Sequence, residues 1–280
     1  MLARRLARAT ESTGPIPAAT LPSIKLALVV VSALIAGVMN AIAGGGTLVT
    51  FPALIALGVP PINANATSTV ALWPGAVGSM WGYRNELGGA RPWALGFAIP
   101  SLVGGGVGAW LLLRTPAERF SAIVPWLVLG ATALFMVQRP AMKWFAERRS
   151  LVAVSDEELT SRRPPWLILG YQFLVAIYGG YFGAGVGILM LAALGFMGLN
   201  NIHRMNGLKN WGGLCMNAVA AAMFAFSSLV SWPVALAMAV GATSGGYLGS
   251  RTAQRVPQHL VRGAVVAIGF ISGVLLFFTR

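Results

Sequence analysis

The sequence predicts an all-α polytopic membrane protein made of two homologous helical repeats, each carrying a short helix that is broken at glycine or re-entrant. Three observations carry this. Mean hydropathy is +0.73, with 56% of the 280 residues hydrophobic and 10% charged, beyond what the polar surface of a soluble domain allows. Tracts without Asp, Glu, Lys, Arg or His run from Leu26 to Tyr83, Pro92 to Leu113, Phe120 to Gln138, Pro164 to Ile202, Asn210 to Ser250 and Gly263 to Thr279. At roughly 20 apolar residues per crossing they hold about eight to ten membrane segments. Finally, a shift of 141 positions lays Ala43 on Ala184, Gly44 on Gly185, Gly46 on Gly187, Asn65 on Asn206, Pro92 on Pro233, and Gly104, Gly105 and Gly108 on Gly245, Gly246 and Gly249. The matches are mostly residues that set backbone geometry, so a fold is duplicated and not apolarity alone.

The expected order is the same in both halves. A tail (1–23) precedes the first repeat (24–138), in which an apolar helix from Ile24 to Ala43 meets "GGG". A short helix, Thr47 to Leu57, follows, then the polar knot "GVPPINANATST" and helices near Ala66 to Tyr83, Trp93 to Leu113 and Phe120 to Gln138. A cytoplasmic linker (139–164) holds the one long polar stretch, with a short helix capped at Ser155. The second repeat (165–280) runs Trp166 to Tyr181, "GAGVG", Ile188 to Met197, the knot "GLNNIHRMNGLKN", and helices Trp211 to Ser228, Pro233 to Arg251 and Leu260 to Phe278. Thr47 to Leu57 would be about 16 Å long, too short to cross a bilayer.

Glycines at those places predict a site. A backbone that stops being helical inside hydrocarbon leaves polar groups unpaired, which is tolerated only against protein or a cavity. The helices that restart at Thr47 and Ile188 would turn free N–H groups and a positive dipole end toward that cavity, a seat for an anion. Broken helices from two repeats meeting at mid-membrane are a transporter architecture. The alternative is that the glycines only permit close helix packing, which is the reading preferred for Gly104 to Gly108 and Gly245 to Gly249.

Charge sets the sign of the site. Net charge is +13, from 20 Lys plus Arg against 7 Asp plus Glu; the basic residues sit in short loops as topology anchors, so no nucleic-acid partner is expected. All the acids (Glu11, Glu86, Glu118, Glu147, Asp156, Glu157, Glu158) fall in loops, linker or tail, which excludes a carboxylate proton relay at mid-membrane. In the second knot Lys209 stands where the first has Ser68, and Arg204 where it has Asn63. Lys209 is the expected cation facing substrate, with Arg204 next; the competing reading makes both surface anchors. A charge inside a membrane segment costs at least about 2.5 kcal/mol, so it normally has a use.

Asn40, Asn65, Thr67, Asn206 and Asn210 can offer hydrogen bonds at the same levels, with Gln172, Asn217 and Cys215 behind them. The tryptophans, Trp73 included, are read as interface belts and packing. Lone Cys215 excludes a disulfide framework, and no cofactor or metal motif is present. Arg4, Arg5, Arg8 and "AIA" at Ala41 to Ala43 imitate a signal peptide, but the same pattern recurs deep in the chain. Loop charge counts balance for either sidedness of the N-terminus. An inverted arrangement is expected because equivalent loops exchange charge: Arg204 and Lys209 against none near Val59 to Asn65, and Arg84 and Arg91 against none near Val230 to Pro233.

The stretch "NAIAGGGTLVTFPALIALGVPPINANATST", echoed by "YGGYFGAGVGILMLAALGFMGLNNIHRMNGLKN", resembles the sulfite exporter TauE/SafE family of bacterial membrane transporters. The resemblance covers nearly all of the chain outside tail and linker. It implies a multi-pass permease of the bacterial plasma membrane for small sulfur-containing anions such as sulfite or organosulfonates. The second copy departs from the pattern, with Ala193 in place of Pro52 and "GLKN" in place of "ATST". The expected substrate site is therefore Asn40, Gly44, Gly45, Gly46, Thr47, Asn65, Thr67, Ser68, Gly183, Gly185, Gly187, Arg204, Asn206, Lys209 and Asn210. An anion channel and, more remotely, a membrane-embedded enzyme stay open at this point, as does Na⁺ or H⁺ coupling.

Overall fold

The computed structural model describes residues 23–42, 44–148, 155–252 and 258–278, which are almost entirely helical, with no strand among them. In chain order the helices are α1 (Ser23–Ile42), α2 (Thr47–Ala56), α3 (Pro61–Tyr83), a 3-10 turn (Arg84–Leu87), α4 (Arg91–Arg114), α5 (Ala117–Arg148), α6 (Asp156–Ser161), α7 (Trp166–Tyr181), α8 (Val186–Phe196), α9 (Ile202–Ala225), α10 (Trp232–Thr252) and α11 (Gln258–Phe278). The tail with Arg4, Arg5 and Arg8, and Ala43, lie outside the described residues. Three stretches among the described residues are long and apolar enough to cross a membrane alone: Ile24–Ile42, Arg91–Arg114 and Ala117–Leu134. Shorter apolar helices, α2, α7 and α8 among them, accompany these.

Two expectations change. The polar knots are not loops: α3 starts at Pro61 and α9 at Ile202, well before Ala66 and Trp211. Pro61 at the first helical position has a preset φ and lacks an N–H that would be unpaired anyway. Asn201 caps α9 by accepting from the N–H groups of His203 and Arg204 at 2.9 and 3.2 Å. Knot side chains are polar because neighbouring backbones need partners. Asn63 donates to Leu229 O at 2.9 Å, and Thr67 Oγ1 accepts from Ser231 N at 3.0 Å. Likewise α5 does not end at Gln138. It runs past Pro140 to Arg148, through good helix formers that the linker reading had set aside. The expected cap at Ser155 is present, accepting from Glu158 N at 3.2 Å.

Helices from opposite ends of the chain interlock: α10 packs on α1 and α3, α4 packs on α7 and α9, and α3 crosses α9. Small residues make this possible, because with lipid outside, close backbone approach supplies much of the association energy. At Gly105 an added Cβ would fall onto Met216 O and 2.8 Å from Met216 Cα; at Gly246 it would fall onto Gly75 O. Backbone cannot step aside as a side-chain tip can. Gly105→Leu should therefore wedge α4 off α9 at the upper end of overpacking costs, about 3 kcal/mol or more. The expected result is loss of monodisperse protein in detergent, checked by size-exclusion chromatography; a normal elution profile would show that α4 is not so tightly seated.

The outward face is apolar as a lipid-facing surface must be, with Leu95, Ile99, Leu174, Leu236 and Val240 exposed. Trp81, Trp110, Trp126, Trp166 and Trp232 are exposed too, in keeping with interface belts. Trp93 is fully buried and packs against Phe97 at 5.9 Å between ring centroids. Behind the second glycine cluster, Phe182 meets Phe51 edge-on at 5.5 Å and Phe120 at 6.3 Å. These contacts fix α2 and α5 against the chain between α7 and α8, which is where the site forms.

Candidate functional site

Both glycine clusters interrupt helices. Between α1 and α2 the chain passes through Gly44 and Gly45 at φ 80° and 91°; between α7 and α8 it passes through Gly183 and Gly185 at φ 77° and 75°. Only glycine adopts such angles without strain. The two interruptions touch: a Cβ at Gly44 would lie 2.9 Å from Gly187 Cα. Beside that contact is a cavity of about 70 Å³, room for a small ion or a few waters.

Four elements line it. The first break contributes Asn40, Gly44, Gly45 and Thr47; the second contributes Gly183 and Gly187, with Phe182, Val186 and Met190. From α3 come Thr69, Leu72, Trp73, Ala76 and Ser79, and from α9 Lys209, Asn210, Gly213 and Asn217. Lys209 is the one charged residue in this lining, and it is 3% exposed.

The ammonium is tied to the first break. Lys209 Nζ donates to Asn40 O at 2.9 Å and to Ala41 O at 3.3 Å, and Asn210 Nδ2 reaches Ala41 O at 3.5 Å. These carbonyls belong to the last turn of α1, where helix geometry leaves C=O groups without partners and the dipole favours a cation. At the end of α7 a neutral group does the same work, Asn65 Nδ2 donating to Tyr181 O at 2.9 Å. An ammonium carries three donors. With two committed to α1, the third is what Lys209 can offer an anion.

At the start of α2 the expected free N–H groups are partly used. Asn40 Oδ1 accepts from Gly46 N at 2.6 Å, and Leu48 N and Val49 N bond back to Gly45 O and Gly46 O at 2.9 Å. The α8 start is similar, with Ile188 N on Gly185 O at 3.0 Å. The dipole ends remain, and the side chains that can donate to a ligand are Lys209, Asn40, Asn210 and Asn217; the Thr69 hydroxyl donates to Asn65 O at 2.9 Å and can only accept.

Of the fifteen expected residues, the cavity collects Asn40, Gly44, Gly45, Thr47, Gly183, Gly187, Lys209 and Asn210. Seven lie elsewhere. Gly46 and Gly185 are the residues before α2 and α8. Asn65 ties α7, Thr67 holds Ser231, and Ser68 pairs with Thr50 at 2.6 Å. Asn206 is buried with its Oδ1 unpartnered. Arg204 is drawn away by the linker: its guanidinium pairs with Glu157 at 2.9 Å and donates to Thr160 Oγ1 at 3.1 Å, fastening α6 to the start of α9. Its charge is met by Glu157 of the linker, and it does not line the cavity.

Thr69, Trp73, Ser79 and Asn217 join the site, and Trp73 moves from the expected packing role into the lining, its Nε1 donating to Leu214 O at 3.3 Å. A signal existed. Thr69, Trp73 and Ala76 on α3, and Lys209, Gly213 and Asn217 on α9, recur at helical spacing, so each set marks one face of a helix. Reading the knots as loops hid that periodicity.

No solved structure matches the chain. Among curated relatives, a "Probable membrane transporter protein ORF9" of Sinorhizobium sp is 28% identical over 90% of this chain and 92% of its own length. A "Probable membrane transporter protein" of Haemophilus influenzae is 27% identical over 88% and 92%. The "Probable membrane transporter protein YfcA" of Escherichia coli (strain K12) is 28% identical over 88% and 87%. The model of the sulfite exporter TauE/SafE family matches residues 29–276, nearly the whole chain with its interrupted helices and the cavity between them, and the protein belongs to that family.

Proposed function

We propose that this protein is a multi-pass secondary transporter of the bacterial plasma membrane, and not an enzyme, that moves small sulfur-containing anions such as sulfite or organosulfonates. Substrate is held between the two helix interruptions. One observation carries the reading: the cavity lining has a single charge, the buried Lys209 ammonium, surrounded by amides and hydroxyls and with no carboxylate in it. Such a lining neutralises an anion and repels a cation. That the anion carries sulfur is taken from the family description, Sulfite exporter TauE/SafE.

Alternating access by two inverted halves is part of the proposal. Its support is the reciprocal packing, α10 on α1 and α3 against α4 on α7 and α9, together with the contact between the two interruptions at Gly44 and Gly187. With no acid in the lining, a carboxylate proton relay has no seat. Coupling, if any, falls to carbonyl and hydroxyl oxygens binding Na⁺.

The test is transport in proteoliposomes. Labelled sulfite uptake should saturate, and preloading with unlabelled sulfite should accelerate it by counterflow. Flux linear in concentration without exchange would mean a channel. A panel of sulfite, short sulfonates, sulfate, carboxylates and phosphate, read by thermal shift, should rank sulfur oxyanions first; stabilisation by carboxylates alone would overturn the substrate class.

A further inference from the structure

We propose that a second anion site lies on the protein's outer surface, in the groove between the start of α4 and the turn leading into α7, and that it binds the headgroup phosphate of an anionic phospholipid. The groove encloses about 480 Å³; Arg91 and Arg163 line it together with Leu95, Pro164 and Leu169. It shares no lining residue with the cavity between the interruptions. A Cβ at Gly96 would come 2.7 Å from Pro164 Cγ, so α4 and the incoming turn are in contact and close the groove's floor.

Both arginines are exposed, and neither makes an ion pair or side-chain hydrogen bond with a described residue. The linker's acids, the nearest in sequence to Arg163, are already committed. Glu158 holds Arg162 at 3.0 Å, and Glu157 holds Arg204 at 2.9 Å. Asp156 accepts from Asn201 N at 2.8 Å and from Asn200 N at 3.1 Å. Two guanidiniums are thus left facing one groove without a counter-charge. Guanidinium forks match phosphate oxygens, and basic pockets between membrane helices are where acidic headgroups settle.

The apolar surroundings decide for a lipid over a soluble anion. Leu95 and Ile99 on α4 are 60% and 70% exposed and one turn apart, so an apolar stripe leads away from Arg91. Just past Pro164, at the start of α7, Trp166 and Leu167 are 81% and 65% exposed. Tryptophan at such a place marks headgroup level. A phosphate between the arginines would thus have acyl chains lying along α4 and α7.

Native mass spectrometry of the full chain in detergent tests this, with dioleoyl phosphatidylglycerol or dioleoyl phosphatidylcholine added. One phosphatidylglycerol should be retained per chain, and phosphatidylcholine should not. The R91Q/R163Q double variant should hold phosphatidylglycerol at least about tenfold more weakly, each basic residue near an acidic surface being worth about fivefold; R91K/R163K should retain most of the affinity. Both side chains are exposed, so the melting temperature of R91Q/R163Q in phosphatidylcholine nanodiscs should match the parent's. Equal retention by parent and R91Q/R163Q would overturn the proposal, and so would equal retention of the two lipids. Displacement of the lipid by millimolar inorganic phosphate would show a soluble-phosphate site instead. The result does not depend on what the central cavity carries.

Discussion

Lys209→Met is expected to abolish anion binding while the protein still folds. A unit charge about 4 Å from an anion is worth about 4 kcal/mol at an effective dielectric near 20, so affinity should fall by two to three orders of magnitude. Stability should fall less. Methionine leaves Asn40 O and Ala41 O without the ammonium, a loss of about 1–3 kcal/mol, offset in part because no charge is then buried. Isothermal titration of parent, Lys209→Met and Lys209→Arg with sulfite separates the effects. Arginine keeps the charge and should keep part of the affinity; unchanged affinity in the methionine variant would remove Lys209 from the site. The same lysine ties the end of α1, so a substrate that draws on its third donor is sensed by the first interruption directly.

Gly44→Ala should stop transport altogether. At φ 80° a Cβ costs about 1–2 kcal/mol in backbone strain, and here it would also press to 2.9 Å from Gly187 Cα. Neither partner of that contact has a side chain to rotate away, so the interruptions must separate and the cavity between them must change shape. Gly45→Leu carries the same kind of backbone strain, at φ 91°, and adds an isobutyl group at a residue lining about 70 Å³ of space. Both should give zero counterflow and lower the melting temperature by several degrees. Normal flux in either variant would show that the glycines serve packing only.

Much of this was legible in the chain because glycine and missing charge report on the backbone directly. Three glycines in an apolar run state that a helix stops there, and helix ends at Ile42 and Tyr181 lie within a residue of that reading. Lys209 stood out because it replaces Ser68 of the first repeat at the edge of a charge-free tract, where an ammonium needs a partner. The knots were misread because Asn, Thr and Ser are ambiguous in sequence. They cap, they turn chains, and they pair with backbone N–H or C=O groups of distant segments. Asn65, Thr67 and Asn63 do the last of these for Tyr181, Ser231 and Leu229, residues more than a hundred positions away.

The sequence alone determined that the chain is helical, apolar and interrupted by glycine in two places, and that any charge at its centre is positive. These follow from composition and from local backbone chemistry, which neighbours along the chain specify. Only the tertiary structure decided which cation faces the cavity and which is spent. Lys209 and Arg204 lie five positions apart on one helix, yet one meets the carbonyl end of α1 beside the cavity and the other meets Glu157 of the linker. A charge's role is set by what lies within a few ångströms of it, and that depends on how distant helices pack.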